Sequence, residues 1–528
     1  MKKLLNVISK NIWPIPLVII LVTTSIIKVA EVTGGNYPFT MDQGRDMVDI
    51  RHMVVTFSPR LVGPTTSING VLLGPFWYYF NLIPFILSGG NPSAIVYWQI
   101  LWYQISVIVL WLVLKKKSVS LAGITALFLF LMPTGFNTAR YFWNANSMPF
   151  FTIFFFAVLV AAIRHKSDRN TLLLGLVAGL ALQIEAAFGI LLFPFALIYL
   201  LFDKTNIKKL LNLIIGFTIT LLPQALFELK HGFIMTKLLI GEVTGKGTML
   251  GEKISLSDKL LQRWDHFQLL VFRSSHLPPN YLPYLFIIGL IIFLFILLTL
   301  REKSKTDEFA VWSVSFYFIL FAAVFYLLFP QSLKIWYTLG LSIPIVIFFA
   351  SFVNFLFESK TPVIKVFALC LVGLTIYYSL KSQIDYTRDV AFKPSDDRSN
   401  MRNELRAIDW VYQNAAGKGF KVYSYLPSVY DFPYNHLFWW YGTKTFGYQP
   451  ADVAYLPNQP EYIKDVDKLW TKKRSVGENN LTFLIIEEDF DMPQRTAAWL
   501  GNFSKLCLVK EVIFPWHAKV QMMAQCSR

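Results

Sequence analysis

Long apolar stretches alternate with short polar ones along most of the chain, a pattern typical of a protein that crosses a membrane many times. A helix needs about 20 apolar residues to cross a bilayer. Eleven stretches approach that length, and we predict a transmembrane helix for each: residues 12–30, 92–114, 118–134, 148–163, 171–184, 186–202, 207–227, 280–300, 308–329, 337–357 and 362–380. No small-residue cleavage site follows the first stretch, so we expect it to be retained as a span.

One further apolar stretch, residues 71–88, decides the number of spans. It is rich in aromatic residues and contains Pro75 and Pro84. Because Tyr and Trp favour the membrane interface, we predict a helix that lies on the outer face or dips into it. The alternative is a true span, which would place Lys115–Lys117 outside and invert every later loop.

The basic residues between the predicted spans indicate the orientation, since Lys and Arg favour short cytoplasmic loops. With the N-terminus inside, the inner loops carry Lys115–Lys117, Arg164, Lys166, Arg169, Lys204, Lys208, Lys209, Arg301, Lys303, Lys305, Lys360 and Lys365. The short outer loops hold little more than Arg140 and Lys334. This topology places the larger loops 31–70 and 228–279 and the polar tail 381–528 outside the cytoplasm.

The tail has the mixed periodicity of a folded α/β domain. Residues 401–415 and 491–503 read as helices, 419–426 and 482–488 as strands, and 506–513 with 518–524 as a terminal hairpin. We therefore predict a polytopic α-helical membrane protein of about eleven transmembrane helices. Its membrane domain covers residues 1–380, and its C-terminal extracytoplasmic α/β domain covers residues 381–528.

Composition supports this fold class. Apolar residues make up 55% of the chain and charged residues only 16%, whereas soluble domains carry about 25% charged residues. The pattern excludes an ordinary soluble enzyme and a disordered chain. The formal net charge is +16, but the basic residues interrupt apolar runs and do not line one polar face, so we exclude nucleic acid as a partner.

The three cysteines have no CxxC spacing, which excludes the common zinc and redox motifs. Cys370 lies in an apolar run and is interpreted as a small core residue. Cys507 and Cys526 could meet across the terminal hairpin in an oxidising compartment. Whether they are bridged is left open by the sequence.

The sharpest cluster of charges follows the first span. Asp42, Arg45, Asp46 and Asp49 have the spacing i, i+3, i+4, i+7, which places them on one face of a helix. Two carboxylates beside an Arg suit acid–base chemistry, because an ionised carboxylate can accept a proton from an attacking hydroxyl. The alternative is a salt-bridged turn at the membrane interface.

The segment after this cluster adds a cation and flat aromatic surfaces. Arg60 could meet a phosphate or extend to the interface. Trp77 and Tyr78 offer faces that suit sugar rings and isoprenoid chains, although such residues also serve as interfacial anchors. In the tail, Tyr423, Tyr425, Tyr430, Tyr434, Trp439, Trp440 and Tyr441 could stack on a glycan, but we favour a core role for them.

A carboxylate pair after the first span, a Gly-Pro-aromatic-Tyr-Tyr helix, many further spans and an outer C-terminal domain together resemble the C-type glycosyltransferase superfamily (GT-C). Within it, the chain is similar to bacterial relatives of the protein O-mannosyltransferases and the lipid A aminoarabinose transferases. The resemblance implies a polyprenyl-phosphate sugar donor, transfer on the outer membrane face and inversion at the anomeric carbon. It also implies a hydroxyl acceptor on a glycan, lipid or protein.

The resemblance assigns roles residue by residue. The family's first acid matches Asp42, but Gln43 stands where a Glu often follows, so Asp46 is expected to supply the second acid. The family's Arg in a later outer loop matches Arg140, while the acid after it is replaced by Asn144 or Asn146. An Asn can orient a sugar hydroxyl but cannot act as a base.

Further polar residues lie at the outer ends of the predicted spans. They are Trp143, Gln183, Glu185, Glu228, Lys230, His231, Lys334 and Tyr337. We expect Arg45, Arg60, Arg140, Lys230 and Lys334 to bind the donor phosphate. We expect Trp77, Tyr78, Trp143, Asn144, Asn146, Glu185 and Tyr337 to contact the sugar or acceptor. A divalent metal on Glu228 and His231 is a weaker hypothesis, because two ligands at i, i+3 are a poor signal.

These residues predict an inverting glycosyltransferase in which Asp42 is the general base. Loop 228–279, with Gly241, Gly245, Gly247 and Gly251, is predicted to close over the donor as a lid. All these groups are expected to meet Asp42 at one outer pocket. The alternatives are a transporter or flippase of a lipid-linked glycan, and a glycan polymerase or ligase. No nucleotide-binding GxxxxGK[ST] motif supports a transporter driven by ATP.

Overall fold

The fold is known from a computed structural model that describes residues 13–526, except 69, 165–166, 203–204, 244–254, 276, 278–281, 300–305, 330–331 and 458–480. Helices occupy all eleven stretches predicted to span the membrane. Among the described residues, six helical segments are each long and apolar enough to cross a bilayer, and two bent pairs bring the number to eight. The chain is thus a multi-span integral membrane protein, as predicted.

The helices before the C-terminal domain follow in chain order. They are α1 Pro14–Thr33, α2 Met41–Thr56, α3 Phe76–Ser88, α4 Pro92–Lys115, α5 Val119–Leu131, α6 Pro133–Ala139, α7 Met148–Arg164, α8 Asp168–Ile184, α9 Ala186–Gly189, α10 Leu192–Phe202, α11 Ile207–Thr220, α12 Leu222–Lys230, α13 Ile234–Val243, α14 Leu256–Ser274, α15 Leu282–Thr299, α16 Asp307–Leu328, α17 Ser342–Phe357 and α18 Pro362–Tyr386. Short 3₁₀ turns cover Ala145–Ser147 and Ile335–Leu341. Helices α13 and α14 belong to loop 228–279, and its Gly245, Gly247 and Gly251 lie outside the described residues.

The two bends have a common cause. The pair α5 and α6 bends by 51°, and the pair α11 and α12 bends by 54°. Pro133 begins α6, and Pro223 lies in the first turn of α12. Proline has no N–H to donate and clashes with the preceding turn, so each helix changes direction there.

The chain divides into two compact units, and each is described by itself. The first unit contains Met1–Lys28, Leu61–Trp77 and Gln99–Tyr386. The second unit contains Val29–Arg60, Tyr78–Trp98 and Thr387–Arg528. The predicted boundary near residue 380 is close to Tyr386, but the second unit also includes helix α2 with its acid cluster.

Small residues bring two helices of the first unit into direct backbone contact. A Cβ added at Gly175 in α8 would meet the backbone of Leu213 and Phe217, and one at Gly216 in α11 would meet the backbone of Leu172 and Leu176. Glycine permits this approach because it has no side chain, which is how helices commonly associate within membranes.

The second unit contains a five-stranded sheet. Its elements are helix α19 Met401–Ala415, strand β1 Phe420–Tyr425, helices α20 Phe432–Leu437 and α21 Thr443–Phe446, strands β2 Asp452–Ala454 and β3 Leu481–Glu487, helix α22 Pro493–Leu500, and strands β4 Leu506–Phe514 and β5 Ala518–Gln525. The strand order is β2-β1-β3-β5-β4. Strand β1 is parallel to β2 and β3, while β5 is antiparallel to β3 and β4. Every predicted tail element is confirmed, and β2 is an addition.

The three cysteines comprise one bridged pair and one free residue. Cys507 and Cys526 form a disulfide across the β4–β5 hairpin, with Cα atoms 5.0 Å apart. The prediction that Cys370 is a core residue was wrong, because its side chain is exposed on α18. A uniformly apolar run does not indicate which side of a helix packs against the rest of the protein, so the sequence could not show that Cys370 is exposed.

Helix α3 has 13 residues. At 1.5 Å per residue it is about 20 Å long, which is too short to cross a hydrocarbon core of about 30 Å. The stretch 71–88 therefore does not form a transmembrane helix of ordinary length, in agreement with the interfacial prediction.

Candidate active site

Helix α2 carries the acid cluster in the second unit, and its start is fixed by a capping box. The backbone N–H of Thr40 donates to Gln43 Oε1 at 2.9 Å, while the Thr40 side chain receives the N3 backbone N–H. Such reciprocal bonds satisfy N–H groups that a helix start leaves unpaired. Gln43 is fully buried and serves this capping role.

Arg45 binds both neighbouring carboxylates on this helix. Its Nη1 lies 2.9 Å from Asp42 Oδ1, and its Nε and Nη2 donate to Asp46 Oδ1 at 3.0 and 2.8 Å. Burial alone lowers the pKa of Arg45, but the charges of Asp46, Tyr78 and Asp42 outweigh burial and raise it. The guanidinium is therefore a fixed cation that orients two acids. Its geometry favours this role over the predicted binding of donor phosphate.

Exposure separates the three acids of helix α2. The side chain of Asp42 is 31% exposed, whereas Asp46 is 1% exposed beneath Arg45. Asp49 is 24% exposed and is held by Arg60 Nη2 at 2.6 Å. Asp42 is thus the most accessible acid of the three. The near-complete burial of Asp46 does not favour its predicted catalytic role.

The aromatic helix supplies a third partner to Asp49. The Tyr78 hydroxyl donates to Asp49 Oδ2 at 2.8 Å. Burial beside Asp46 and Asp49 raises the pKa of Tyr78 well above its ordinary value, so the phenol stays a proton donor. Arg60 and Tyr78, which were expected to bind phosphate and sugar, therefore converge on Asp49. The sequence pattern placed Asp49 on the same helix face as Asp42 and Asp46. It did not indicate that Arg60 and Tyr78 bind Asp49.

Helix α2 lies against the backbone of α20 within the same unit. A Cβ at Gly44 would be 2.6 Å from the carbonyl carbon of Phe432. Farther along α2, Arg51 donates to the backbone oxygen of Asn435 at 3.1 Å and to its Oδ1 at 2.6 Å. The acid cluster is thereby fixed to the C-terminal domain.

We expect Gly44→Ala to destabilise the protein by about 1–3 kcal/mol, the usual effect of extra volume in a tight contact. Gly241→Ala is the matched control, because a Cβ there meets no atom within 4 Å. Thermal unfolding of both variants in the same detergent checks this expectation. Equal melting temperatures for the two would show that α2 and α20 do not pack as described.

The first unit brings together polar residues from several connecting segments. The Asn144 amide donates to the Ile184 oxygen at 2.7 Å, and the Glu185 carboxylate accepts from the Ala187 N–H at 3.2 Å. The Tyr326 hydroxyl donates to the backbone oxygen of Tyr337 at 2.7 Å. We call Asn144, Glu185, Tyr326 and Tyr337 the loop cluster.

Neighbouring segments complete the surroundings of the loop cluster. The hydroxyls of Ser67 and Tyr337 share a hydrogen bond, and Glu185 is within electrostatic range of Tyr326 and Tyr337. Gln183 accepts from the Phe76 N–H at 3.2 Å. The structure therefore brings Asn144, Glu185 and Tyr337 together from separate parts of the sequence, and their predicted contact with sugar or acceptor stays a prediction.

Other predicted residues have structural partners. Asn146 donates to the Tyr141 oxygen at 2.9 Å. Trp143 packs against Trp336, with ring centroids 5.5 Å apart. Trp77 is fully buried. Of the predicted sugar contacts in the first unit, Trp143 retains partial exposure, whereas Trp77 does not.

Arg140 lies between two aromatic rings at the end of α6. Its guanidinium carbon is 4.0 Å from the Phe136 ring centroid and 4.4 Å from that of Tyr386. Its Nε donates to the Phe136 oxygen at 3.0 Å, and its Nη2 donates to Asn137 Oδ1 at 2.9 Å. These contacts hold a cation in a defined orientation. Lys230 and Lys334 are exposed and take part in no ion pair with another described residue.

One buried cation of the first unit is not among the residues predicted from the sequence. Lys28 is fully buried in α1, and its Nζ lies 5.0 Å from the ring centroid of Tyr103. The Nζ atom has no hydrogen-bond partner among the described residues. Lys28 lies near the end of a long apolar run, and the sequence pattern did not show that its side chain is buried. A buried charge in a span commonly marks a functional region.

The metal hypothesis for Glu228 and His231 does not fit their contacts. Both Glu228 oxygens accept hydrogen bonds at the start of α13, from the Met235 N–H at 3.0 Å and the Thr236 N–H at 2.9 Å. His231 Nδ1 pairs with the Phe227 oxygen at 2.8 Å. Within the described part of the chain, no group of three or more His, Cys, Asp or Glu could hold a metal. We therefore assign Glu228 to capping α13 and propose no metal-dependent step.

The predicted meeting of Asp42 with Arg140 joins residues of different units and stays a prediction. In the second unit, Arg45 holds the carboxylates of Asp42 and Asp46. The first unit contains the loop cluster and the oriented cation of Arg140. Carboxylates suit proton transfer, and Arg or Lys suits a phosphate leaving group.

Comparisons with known proteins find a matching family model and similar solved structures. Residues 74–226 match the family model described as dolichyl-phosphate-mannose-protein mannosyltransferase. Among solved structures, the chain is similar to ArnT from Cupriavidus metallidurans bound to undecaprenyl phosphate. That match has 12% identity and a TM-score of 0.57, and covers 97% of this chain and 98% of that chain. The apo state of the same protein matches with 13% identity, a TM-score of 0.57 and the same coverage.

A search of curated protein sequences finds no match. At 12–13% identity the likeness to ArnT shows a shared fold, which extends over nearly the whole of both chains. The family model matches residues 74–226, which include helices α3 to α11 and the Arg140 loop. The chain is therefore a multi-span integral membrane protein with the fold of ArnT, and its residues 74–226 match the family model of the dolichyl-phosphate-mannose-protein mannosyltransferases.

Proposed function

We propose that this protein transfers a sugar from a polyprenyl-phosphate donor to a hydroxyl acceptor, with inversion, and that Asp42 is the general base. The observation that carries the base assignment is the exposure of Asp42, which exceeds that of Asp46 and Asp49. The donor class is supported by the shared fold with ArnT, which binds undecaprenyl phosphate in its crystal structure.

The reaction needs one proton acceptor and a neutralised leaving group. The acceptor oxygen bonds to the anomeric carbon while the bond from that carbon to the phosphate oxygen breaks. Asp42 takes the hydroxyl proton, and polyprenyl phosphate leaves with the bonding electrons. The transition state has oxocarbenium character, as glycosyl transfer generally has. Arg45 keeps the Asp42 carboxylate oriented through their 2.9 Å ion pair.

Three cations are assigned to the donor phosphate: Arg140, Lys230 and Lys334. Arg45 and Arg60 are less suited, because Asp42, Asp46 and Asp49 already compensate their charge. Charge-assisted hydrogen bonds stabilise a departing phosphate more strongly than neutral ones do. Asp46 supports the base indirectly by holding Arg45, and Glu185, Tyr337 and Asn144 contribute polar groups for the sugar.

We propose that the N-terminus is cytoplasmic, while the active site and the C-terminal domain are extracytoplasmic. The concentration of Lys and Arg in alternate loops supports this orientation. The Cys507–Cys526 disulfide supports it as well, since disulfides persist mainly in oxidising compartments.

Arg140→Ala is expected to raise the KM for the donor by about 10- to 100-fold, as loss of a hydrogen bond to a charged group costs about 1.5–3 kcal/mol. Steady-state kinetics with a purified polyprenyl-phosphate sugar measures this effect. The exposed Arg169 provides the control variant Arg169→Ala, which should leave donor KM unchanged. A donor KM that is the same in Arg140→Ala and wild type would remove Arg140 from the phosphate site.

A further inference from the structure

The second unit contains an open cavity of about 300 Å³, separate from the acid cluster. Its lining residues are Thr33, Gly34, Gly35, Asn91, Ser93, Met401, Arg402, Leu405, Arg406, Asp409, Trp440 and Tyr441. None of these residues belongs to the predicted catalytic or donor-binding set. The cavity is therefore a second candidate binding site.

The cavity wall has an excess of positive charge. Arg402 and Arg406 contribute two guanidinium groups, and neither takes part in an ion pair with a described residue. Arg402 is held through Nε by the Gly34 oxygen at 2.7 Å, whereas Arg406 is exposed. Burial, and then the charge of Arg406, lower the pKa of Arg402. An anion between them would relieve this repulsion.

One carboxylate of the cavity limits this excess. Asp409 accepts a hydrogen bond from the Tyr441 hydroxyl at 2.8 Å. Burial raises the pKa of Asp409. With Asp409 ionised, the two arginines still leave the wall one positive charge in excess, so the site favours an anion over a neutral sugar.

The cavity lies where two apolar helices end. Thr33 is the last residue of α1, and Asn91 and Ser93 flank the first residue of α4. Both helices are long and apolar enough to cross a bilayer, so their ends mark a membrane surface. Trp440 and Tyr441 are residue types that favour this level, where lipid headgroups lie.

An apolar path leads to the cavity along helix α1. The exposed apolar side chains of this helix are Ile15, Val18, Ile19, Val22, Ile26 and Val29. Apart from the adjacent pair Val18 and Ile19, successive members are three or four residues apart, which places them on one face, and Thr33 continues that face one turn after Val29. Val29 and Thr33 belong to the same unit as the cavity, so an acyl chain beside Val29 would have its headgroup at the cavity.

We propose that this cavity binds the phosphate of an anionic lipid headgroup. The phosphate lies against Arg406 and Arg402, and the Asn91 and Thr33 side chains border the glycerol portion. The lipid thereby links helix α19 of the C-terminal domain to the membrane surface, independently of sugar transfer.

The test uses full-length protein in nanodiscs that contain equal amounts of phosphatidylglycerol and phosphatidylcholine. After transfer to detergent, native mass spectrometry counts the retained lipids. We expect phosphatidylglycerol to be retained in preference, and Arg406→Gln to reduce its retention about fivefold, since one basic group near a membrane surface contributes about 1 kcal/mol. Arg406 is exposed, with its guanidinium carbon 5.8 Å from the Trp516 ring centroid, so this variant should fold.

Two further variants sharpen the test. Lys505→Gln removes one exposed positive charge from the same domain and should leave retention unchanged. Asp409→Asn removes the negative charge of the wall and should increase phosphatidylglycerol retention. Equal retention of both lipids by the wild type, or an unchanged preference in Arg406→Gln, would overturn the proposal.

Inorganic phosphate distinguishes a lipid from a free anion. We expect millimolar phosphate to give little thermal stabilisation of the detergent-solubilised protein, because it lacks the acyl chains. If phosphate stabilises the wild type but not Arg406→Gln, and no lipid preference is found, the cavity binds a free anion and the lipid assignment is wrong.

Discussion

We expect purified Asp42→Asn protein to transfer sugar about 100- to 10,000-fold more slowly than wild type, the usual contribution of a general base. Asn keeps the size of the side chain and can still accept a hydrogen bond from Arg45, which is 2.9 Å from Asp42 in the structure. It cannot take a proton from the acceptor. The loss should therefore appear in kcat, while donor KM changes little.

Asp168→Asn is the matched control for this variant. Asp168 pairs with Lys208 on an exposed surface, where an ion pair contributes little to stability. The Asp168→Asn variant should transfer sugar at the wild-type rate. If Asp42→Asn retains full activity with a melting temperature equal to wild type, Asp42 is not the base.

We expect the C-terminal domain to lose stability as the pH rises from about 4.5 to about 7. Burial raises the pKa of Glu487 from 4.5 to about 7, and burial together with Glu487 raises the pKa of Glu404 well above its ordinary value. Both side chains are almost fully buried, at 1% and 0% exposure. The folded domain therefore holds protons that the unfolded chain has already released.

The sign follows from proton binding. Where the folded state binds more protons than the unfolded state, the free energy of unfolding falls as pH rises. For Glu487 the stabilisation is complete below pH 4.5 and is lost as pH rises through about 7. A rise in pKa from 4.5 to about 7 corresponds to about 3 kcal/mol of folding stability, at 1.36 kcal/mol per pKa unit.

Glu487→Gln should remove the Glu487 part of this pH dependence, because glutamine does not titrate. The measurement is hydrogen-exchange protection of strand β3 amides in the full-length protein at pH 5 and pH 7, corrected for the intrinsic exchange rate. Glu488→Gln, the exposed neighbour at 57% exposure, is the control and should behave as wild type. The same loss of protection in Glu487→Gln as in wild type would contradict the buried-acid explanation.

The spans and the tail domain could be predicted from the sequence because each follows from a local pattern. Eleven apolar runs gave eleven helical regions, and alternating residues gave β1, β3 and the terminal hairpin. Strand β2 has only three residues, Asp452–Ala454, which is too short for alternation to be detected. The exposure of Cys370 depends on which side of α18 faces lipid, and uniform apolarity does not reveal it.

The candidate site was predictable in part. The spacing of Asp42, Arg45 and Asp46 placed them on one helix face, where the structure shows Arg45 paired with both acids. Contacts between distant segments were not predictable, such as Asp49 with Tyr78 or Asn144 with Ile184. They depend on tertiary packing, and no local periodicity encodes them.

Sugar release from defined donors tests the proposed function most directly. Purified wild-type protein is incubated with a panel of polyprenyl-phosphate sugars, with and without candidate hydroxyl acceptors, and the products are separated by mass. We expect one donor to be consumed, yielding free polyprenyl phosphate and a sugar on the acceptor or on water, with Asp42→Asn at least about 100-fold slower. Movement of an intact lipid-linked sugar across a vesicle membrane, with no cleavage of any donor, would contradict the transferase assignment.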